Sequence, residues 1–104
     1  MSLETIEFKV AGDGRAVSLA RRAHCGVVGS GDLEVMLEPK AGDSAVSVRI
    51  VTPVTGFDAL WKRVVEHFVA ETGLAGLSIE INDNNASPAI VALRLRQALA
   101  EAQA

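Results

Sequence analysis

Tyrosine is absent from this chain, and its aromatic complement is three phenylalanines and one tryptophan: Phe8, Phe57, Phe68 and Trp61. Acidic residues outnumber basic ones, giving a formal charge of −3. A nucleic-acid surface usually combines a net-basic face with stacking rings, so no nucleic-acid partner is expected. The one local basic cluster, Arg15, Arg21, Arg22 and His24, reads as a solvated loop. With a single cysteine, Cys25, no intrachain disulfide can form, and nothing points to a secreted disulfide scaffold. No apolar run approaches the ~18 residues of a membrane span. The N-terminal "MSLETIEFKV" lacks a signal-peptide core, so the expectation is a soluble cytoplasmic protein without direct membrane insertion. At 104 residues the chain is expected to form one domain over 1–104, large enough to bury above ~60 % of its unfolded surface. A deep cleft between domains is not expected.

What is present is pattern. "TIEFKV" alternates Ile6, Phe8 and Val10 against Thr5, Glu7 and Lys9, the period-2 signature of a half-buried strand, and Gly12, Asp13 and Gly14 end it. Arg15 to Arg22 shows no clean period and reads as loop or irregular strand. His24 to Val28 looks extended, as does Leu33 to Glu38, where Leu33, Val35 and Leu37 share one face. Pro39, Gly42 and Asp43 supply turn chemistry. "AVSVRIVT" then repeats the alternation with Val46, Val48 and Ile50 inward, so three consecutive antiparallel strands are the economical arrangement.

Helical spacing takes over at Thr55. Phe57, Leu60, Trp61, Val64, Val65, Phe68 and Val69 form a single apolar stripe with Trp61 in the core. Thr55 and Asp58 fit a variant capping box, and Gly73 suits a left-handed stop. "LSIEIN" is another strand, with Leu77, Ile79 and Ile81 inward, ended by the polar run Asn82 to Asn85. Ser87 before Pro88 marks a helix N-cap followed by proline at the first helical position. Val91, Leu95, Ala98, Leu99 and Ala102 line one face of that helix, leaving Arg94, Gln97 and Glu101 in water. The expected fold is α+β: a two-layer sandwich, mainly an antiparallel sheet of about five strands with two amphipathic helices on one face.

Searching this frame for catalytic residues returns none. His24 and His67 have no metal-ligand spacing with each other or with Cys25, so no metal site is expected. "GVVGSGD" differs from a nucleophile elbow, which needs glycine two positions before the serine, where Val28 stands, and a helix after it. A phosphate loop fails for want of a following lysine with Ser or Thr. Ser30 remains. Flanked by Gly29 and Gly31, both able to take positive φ, it can project from a tight loop that Asp32 holds in shape by accepting amide hydrogen bonds. On physical grounds Ser30 is either a polar turn residue or a hydroxyl held out for modification.

Residues 26–39, "GVVGSGDLEVMLEP", resemble the hairpin of the malonate decarboxylase delta subunit, an acyl-carrier family; more distantly they are similar to the citrate lyase gamma chain, which also has a serine followed by Gly-Asp. "VTPVTGFDALWKRVVEHF" and "INDNNASPAIVALRLRQAL" are also similar to the malonate family, whereas the first twenty-odd residues resemble nothing assigned. The resemblance implies a non-catalytic carrier. Ser30 would be joined through a phosphodiester to phosphoribosyl-dephospho-CoA, donated by 2'-(5''-triphosphoribosyl)-3'-dephospho-CoA under a holo-protein synthase. The arm would carry acetyl and malonyl thioesters between the acyltransferase and decarboxylase subunits, turning malonate into acetate and CO2. Gly29, Gly31 and Asp32 would form the attachment loop. A citrate lyase-type carrier, a small α+β binding or regulatory domain, and a minimal serine hydrolase with His24 as base stay open as alternatives.

Overall fold

The alternating segments become strands of one open sheet. The computed structural model describes residues 3–12, 21–40, 42 and 44–103. Its strands are β1 (Glu4–Val10), β2 (Ala23–Gly26), β3 (Asp32–Pro39), β4 (Val46–Thr52) and β5 (Leu77–Asn84); its helices are α1 (Asp58–Thr72) and α2 (Pro88–Gln103). The sheet order is β1-β4-β5-β3-β2. Every neighbouring pair is antiparallel except β4 and β5, which run parallel. The expected α+β, two-layer, mainly antiparallel architecture is present.

The connectivity differs from three consecutive antiparallel strands. β5 inserts between β3 and β4, with Leu77 opposite Pro39 on one side and Val46 on the other. The chain from Lys40 to Ala45 must therefore cross two strand spacings, about 10 Å, which a two-residue hairpin turn cannot span. Gly76, just before β5, secures the crossing: its carbonyl accepts the Lys40 N–H and its own N–H donates to the Ser44 carbonyl, both at 2.9 Å.

Period 2 decides which face is buried. Leu33, Val35, Leu37, Val46, Ile50, Leu77 and Ile79 are fully buried, whereas Glu7, Lys9, Glu38, Arg49 and Glu80 are exposed on the opposite face. Helix α2 covers β2 and β3 through Val91, Leu95, Ala98 and Ala102, and α1 packs against β1 and α2. Strand β5 runs past the expected end at Asn82, and Asp83 continues the inward-facing series although it is charged. Its carboxylate is fully engaged. Oδ2 accepts from the Thr52 hydroxyl at 2.8 Å and from Asn85 N–H at 3.2 Å, and Oδ1 accepts from Ala86 N–H at 2.9 Å. A buried carboxylate persists only with such partners.

Helix ends are as expected except one. Ser87 caps α2, accepting the Ile90 N–H on its hydroxyl at 3.3 Å, with Pro88 at the first helical position. Gly73 closes α1 at φ 70°. At the other end of α1, the Thr55–Asp58 capping box does not form; the cap is Phe57, without a side-chain hydrogen bond, because Gly56 at φ 86° turns the chain just before the helix. The apolar stripe divides there. Trp61, Val65, Phe68 and Val69 are buried, whereas Phe57 is 48 % and Leu60 37 % exposed. Of the 15–22 segment, residues 15–20 lie outside the described residues, as do Asp13, Gly14 and Asp43. The extended run from His24 stops at Gly26 rather than Val28. Among the described residues no helix is long and apolar enough to cross a membrane.

Two stability tests follow from this packing. Trp61→Ala is expected to cost about 3–5 kcal/mol in denaturant unfolding, the range for truncating a buried aromatic, while Phe57→Ser is expected to cost about 1 kcal/mol or less; equal losses would place both rings in the core. Gly26 has φ +86°, and an added Cβ would meet the Leu33 carbonyl oxygen at 2.2 Å. Gly26→Ala is therefore expected to lower stability by about 1–3 kcal/mol or more, read from the denaturant midpoint, and an unchanged midpoint would contradict this close approach of β2 to β3.

Candidate functional site

Residues 27–31 join β2 to β3 and place Ser30 at the tip. The Asp32 N–H donates to the Gly29 carbonyl at 3.0 Å, closing a four-residue turn whose central residues are Ser30 and Gly31. Gly31 has φ +75° and Ser30 does not have positive φ, the pattern of a type II turn, which calls for glycine at its third position. Of the two glycines able to take positive φ only Gly31 does so; at Gly29 a Cβ would meet only Val27 Cγ2, at 3.8 Å, so its smallness acts through open space beside the serine. Around Gly31 nothing lies within 4 Å of an added Cβ. Ser30 is exposed, and among the described residues nothing hydrogen-bonds its hydroxyl. The turn is tied to the sheet by the Gly31 N–H, which donates to the Asn84 carbonyl at 2.8 Å.

Asp32 holds the turn from the other side. Its Oδ1 accepts from the N–H of Leu33, the next residue of β3, at 2.7 Å, rather than from an amide of the loop. The larger restraint is Arg94 of α2, whose Nε donates to Oδ1 at 2.9 Å and Nη2 to Oδ2 at 2.8 Å. This is the bidentate guanidinium–carboxylate geometry. The Arg94 hydrogen bonds, with that of Leu33, bring the Asp32 carboxyl down to about 2. Arg94 Nη1 also donates to Gln97 Oε1 at 2.8 Å, and the Cys25 thiol donates to the same oxygen at 3.2 Å. Thus α2 grips both strands that flank the Ser30 loop. Gln97 is exposed as expected, but Arg94, also expected in water, is half-buried in this clamp, which the sequence reading missed. The available signal was weak: both residues border the buried stripe Val91–Leu95–Ala98, where a long side chain can reach over a neighbouring strand.

The other sequence candidates are dispersed. His24 lies on the outer sheet face, where its Nε2 is 2.9 Å from Glu34 Oε2; Asn82 Nδ2 donates to Glu34 Oε1 at 2.8 Å. These bonds, His24 first, lower the Glu34 pKa. The base proposed for a serine hydrolase is therefore engaged away from Ser30. Arg21, from the same basic cluster, instead donates through Nε and Nη2 to the Glu101 carbonyl near the end of α2, at 3.3 and 3.2 Å. His67 faces Glu71 one helical turn on, at 3.1 Å. Among the described residues no group of three His, Cys, Asp or Glu side chains is placed to hold a metal.

Comparison with known proteins gives a consistent set of matches. Residues 20–102 match the family model described as ACP, malonate decarboxylase delta subunit (MdcD). The malonate decarboxylase acyl carrier protein of Malonomonas rubra is 46 % identical over 101 residues, covering 97 % of this chain and 90 % of the relative. That of Burkholderia cepacia is 48 % identical over 99 residues, covering 95 % and 90 %. Among solved structures, a chain of a Pseudomonas malonate decarboxylase hetero-tetramer in complex with malonate superposes with a TM-score of 0.74 at 37 % identity, covering 97 % of this chain and 98 % of that one. A fold shared over nearly full length, with identities of this size, means that the chain belongs to the malonate decarboxylase delta-subunit family of acyl carrier proteins.

Proposed function

We propose that this chain, as one carrier domain over 1–104, is the non-catalytic acyl carrier of a malonate decarboxylase and that Ser30 bears its prosthetic group. The observation that carries this reading is the Ser30 turn, an exposed hydroxyl between two glycines on a loop held at Asp32 and Gly31. Phosphoribosyl-dephospho-CoA fits this position, because attachment through a phosphodiester needs an unshielded hydroxyl and room around it, and Gly29 and Gly31 leave that room. When bound, the group supplies a thiol that carries the acyl chain as a thioester while partner subunits perform acyl transfer and decarboxylation.

This chain's own residues then have two tasks. Ser30 Oγ presents the attachment atom to the holo-protein synthase, and the turn keeps it clear of the sheet. Asp32 and Arg94 fix the turn's direction, so that the arm leaves from a defined point and its tethered end reaches successive partner sites at high effective concentration. The proton-transfer and oxyanion groups belong to the acyltransferase and decarboxylase subunits. A cytoplasmic location suits such an assembly.

The direct test is the intact mass of the chain from its native host, with the adduct mapped by peptide. A mass increase equal to phosphoribosyl-dephospho-CoA on the Ser30 peptide is expected; an adduct elsewhere, or none, would refute the assignment. Ser30→Ala is expected to alter stability by no more than about 0.5 kcal/mol while abolishing modification and malonate turnover. The clamp has its own signature. Because the folded Asp32 pKa lies at about 2, below its ordinary 3.8, the stability it contributes is complete above the ordinary value and is lost as pH falls through about 2. The side-chain carboxyl NMR signal of Asp32 is expected to titrate near 2 in the native chain and to move toward 3.8 in Arg94→Ala, with slower synthase-catalysed modification. A titration that Arg94→Ala leaves in place would remove the clamp.

A further inference from the structure

The two exposed members of the α1 stripe border a groove that the carrier reading leaves unused. Phe57, Leu60 and Trp61 form one wall, Pro88 and Val91 of α2 the other, and Asn85 stands at the rim. Its volume is about 350 Å³, within the roughly 300–1,000 Å³ typical of small-molecule clefts. The groove opens beyond the carboxyl ends of the parallel strands β4 and β5. That edge also carries Ser30. The Asn84 carbonyl holds the Gly31 N–H, and the next residue, Asn85, is part of the groove. One Cα step from Ser30 to Gly31, that hydrogen bond, and one step from Asn84 to Asn85 thus separate Ser30 from the rim by on the order of 10 Å.

Resting on the carrier reading, we infer that this groove binds the adenosine moiety of the group attached to Ser30, anchoring the root of the arm while its thiol end swings free. Three features select the base among the parts of that group. A phosphodiester and two riboses separate the serine oxygen from adenine, a span comparable with the distance to the rim, whereas the thiol end lies much farther along the arm. Phe57 is a half-exposed ring beside Trp61, a surface on which a flat purine can stack. The Asn85 side-chain amide offers the donor and acceptor pair that matches adenine N7 and its exocyclic amine. The diphosphate is disfavoured inside, because the wall is mostly apolar and the carboxylate behind it, Asp83, is negative. Asn85 itself is held at φ 65° by its N–H bond to Asp83, which fixes the rim.

Trp61, the single tryptophan, reports on this groove without any partner subunit. Full-length chain is prepared unmodified and modified, the adduct on Ser30 being verified by peptide mass, and the indole emission of the two is compared. Loss of Trp61 emission on modification is expected, together with nuclear Overhauser contacts from adenine H2 or H8 to the Phe57 or Trp61 ring. Enzymatic cleavage of the diphosphate, which removes the pantetheine end and leaves the adenosine on Ser30, is expected to preserve the quenching. Phe57→Ser and Leu60→Ser, both at exposed positions, are expected to restore the emission of the unmodified chain. Identical emission with the adduct confirmed would overturn the inference and leave the carrier reading intact. Quenching that disappears on diphosphate cleavage would overturn it in favour of the pantetheine end, and quenching that requires added partner subunits would overturn it in favour of a protein occupant. Absence of an adduct on Ser30 would refute both readings.

Discussion

The insertion of β5 between β3 and β4 is the constraint on which the rest of the molecule depends. A strand in that place must be parallel to one neighbour and antiparallel to the other, and a parallel pair needs a long crossover, which α1 supplies. With Leu77, Ile79 and Ile81 on its inner face, β5 carries the middle of the core. Its far end then meets both the beginning of β3 and the end of β4. The Ser30 turn, Thr52 and the start of α2 are gathered at one edge for that reason alone.

Polar residues organise that edge. Asp83 occupies what would otherwise be the next inward apolar position, and it joins Thr52 to the backbone of Asn85 and Ala86. Asp32 joins the Ser30 turn to Arg94. Each carboxylate ties a loop to a neighbouring element by hydrogen bonds whose partners are far apart in the chain. Directional bonds of this kind determine where a loop points, which apolar burial alone does not. On the proposed function the direction of the Ser30 turn matters, because the arm would begin there.

Much of the architecture was legible because period 2 and period 3.6 are local. The inward faces of β1, β3, β4 and β5, the Ser87–Pro88 start of α2 and the Gly73 stop of α1 all appear as read. The failures are equally physical. Six residues between Pro39 and Val46 look like a hairpin loop, and nothing in their composition announces that another strand, more than thirty residues on, separates the two they join. Phe57 and Leu60 continue the α1 stripe at correct spacing, yet they extend past the sheet into solvent, because periodicity gives a direction around a helix and not the length of the surface it covers. Asp83 was read as part of a polar run that ends the strand, and Arg94 as wet because a charged residue is ordinarily exposed; each is instead held by a partner from another element.

By itself, the sequence determined the elements, the α+β class, the absence of a local catalytic pattern and the singularity of Ser30, whose glycine neighbours and following aspartate carry the family resemblance. These are properties of adjacent residues. Only the tertiary structure decided that Arg94, 62 positions from Asp32, clamps the serine turn, that β5 rather than β4 lies beside β3, and that the exposed end of α1 shares an edge with Ser30. Such pairings arise from the order of strands in the sheet, and strand order is set by the joint burial of several faces, a quantity that no single segment encodes.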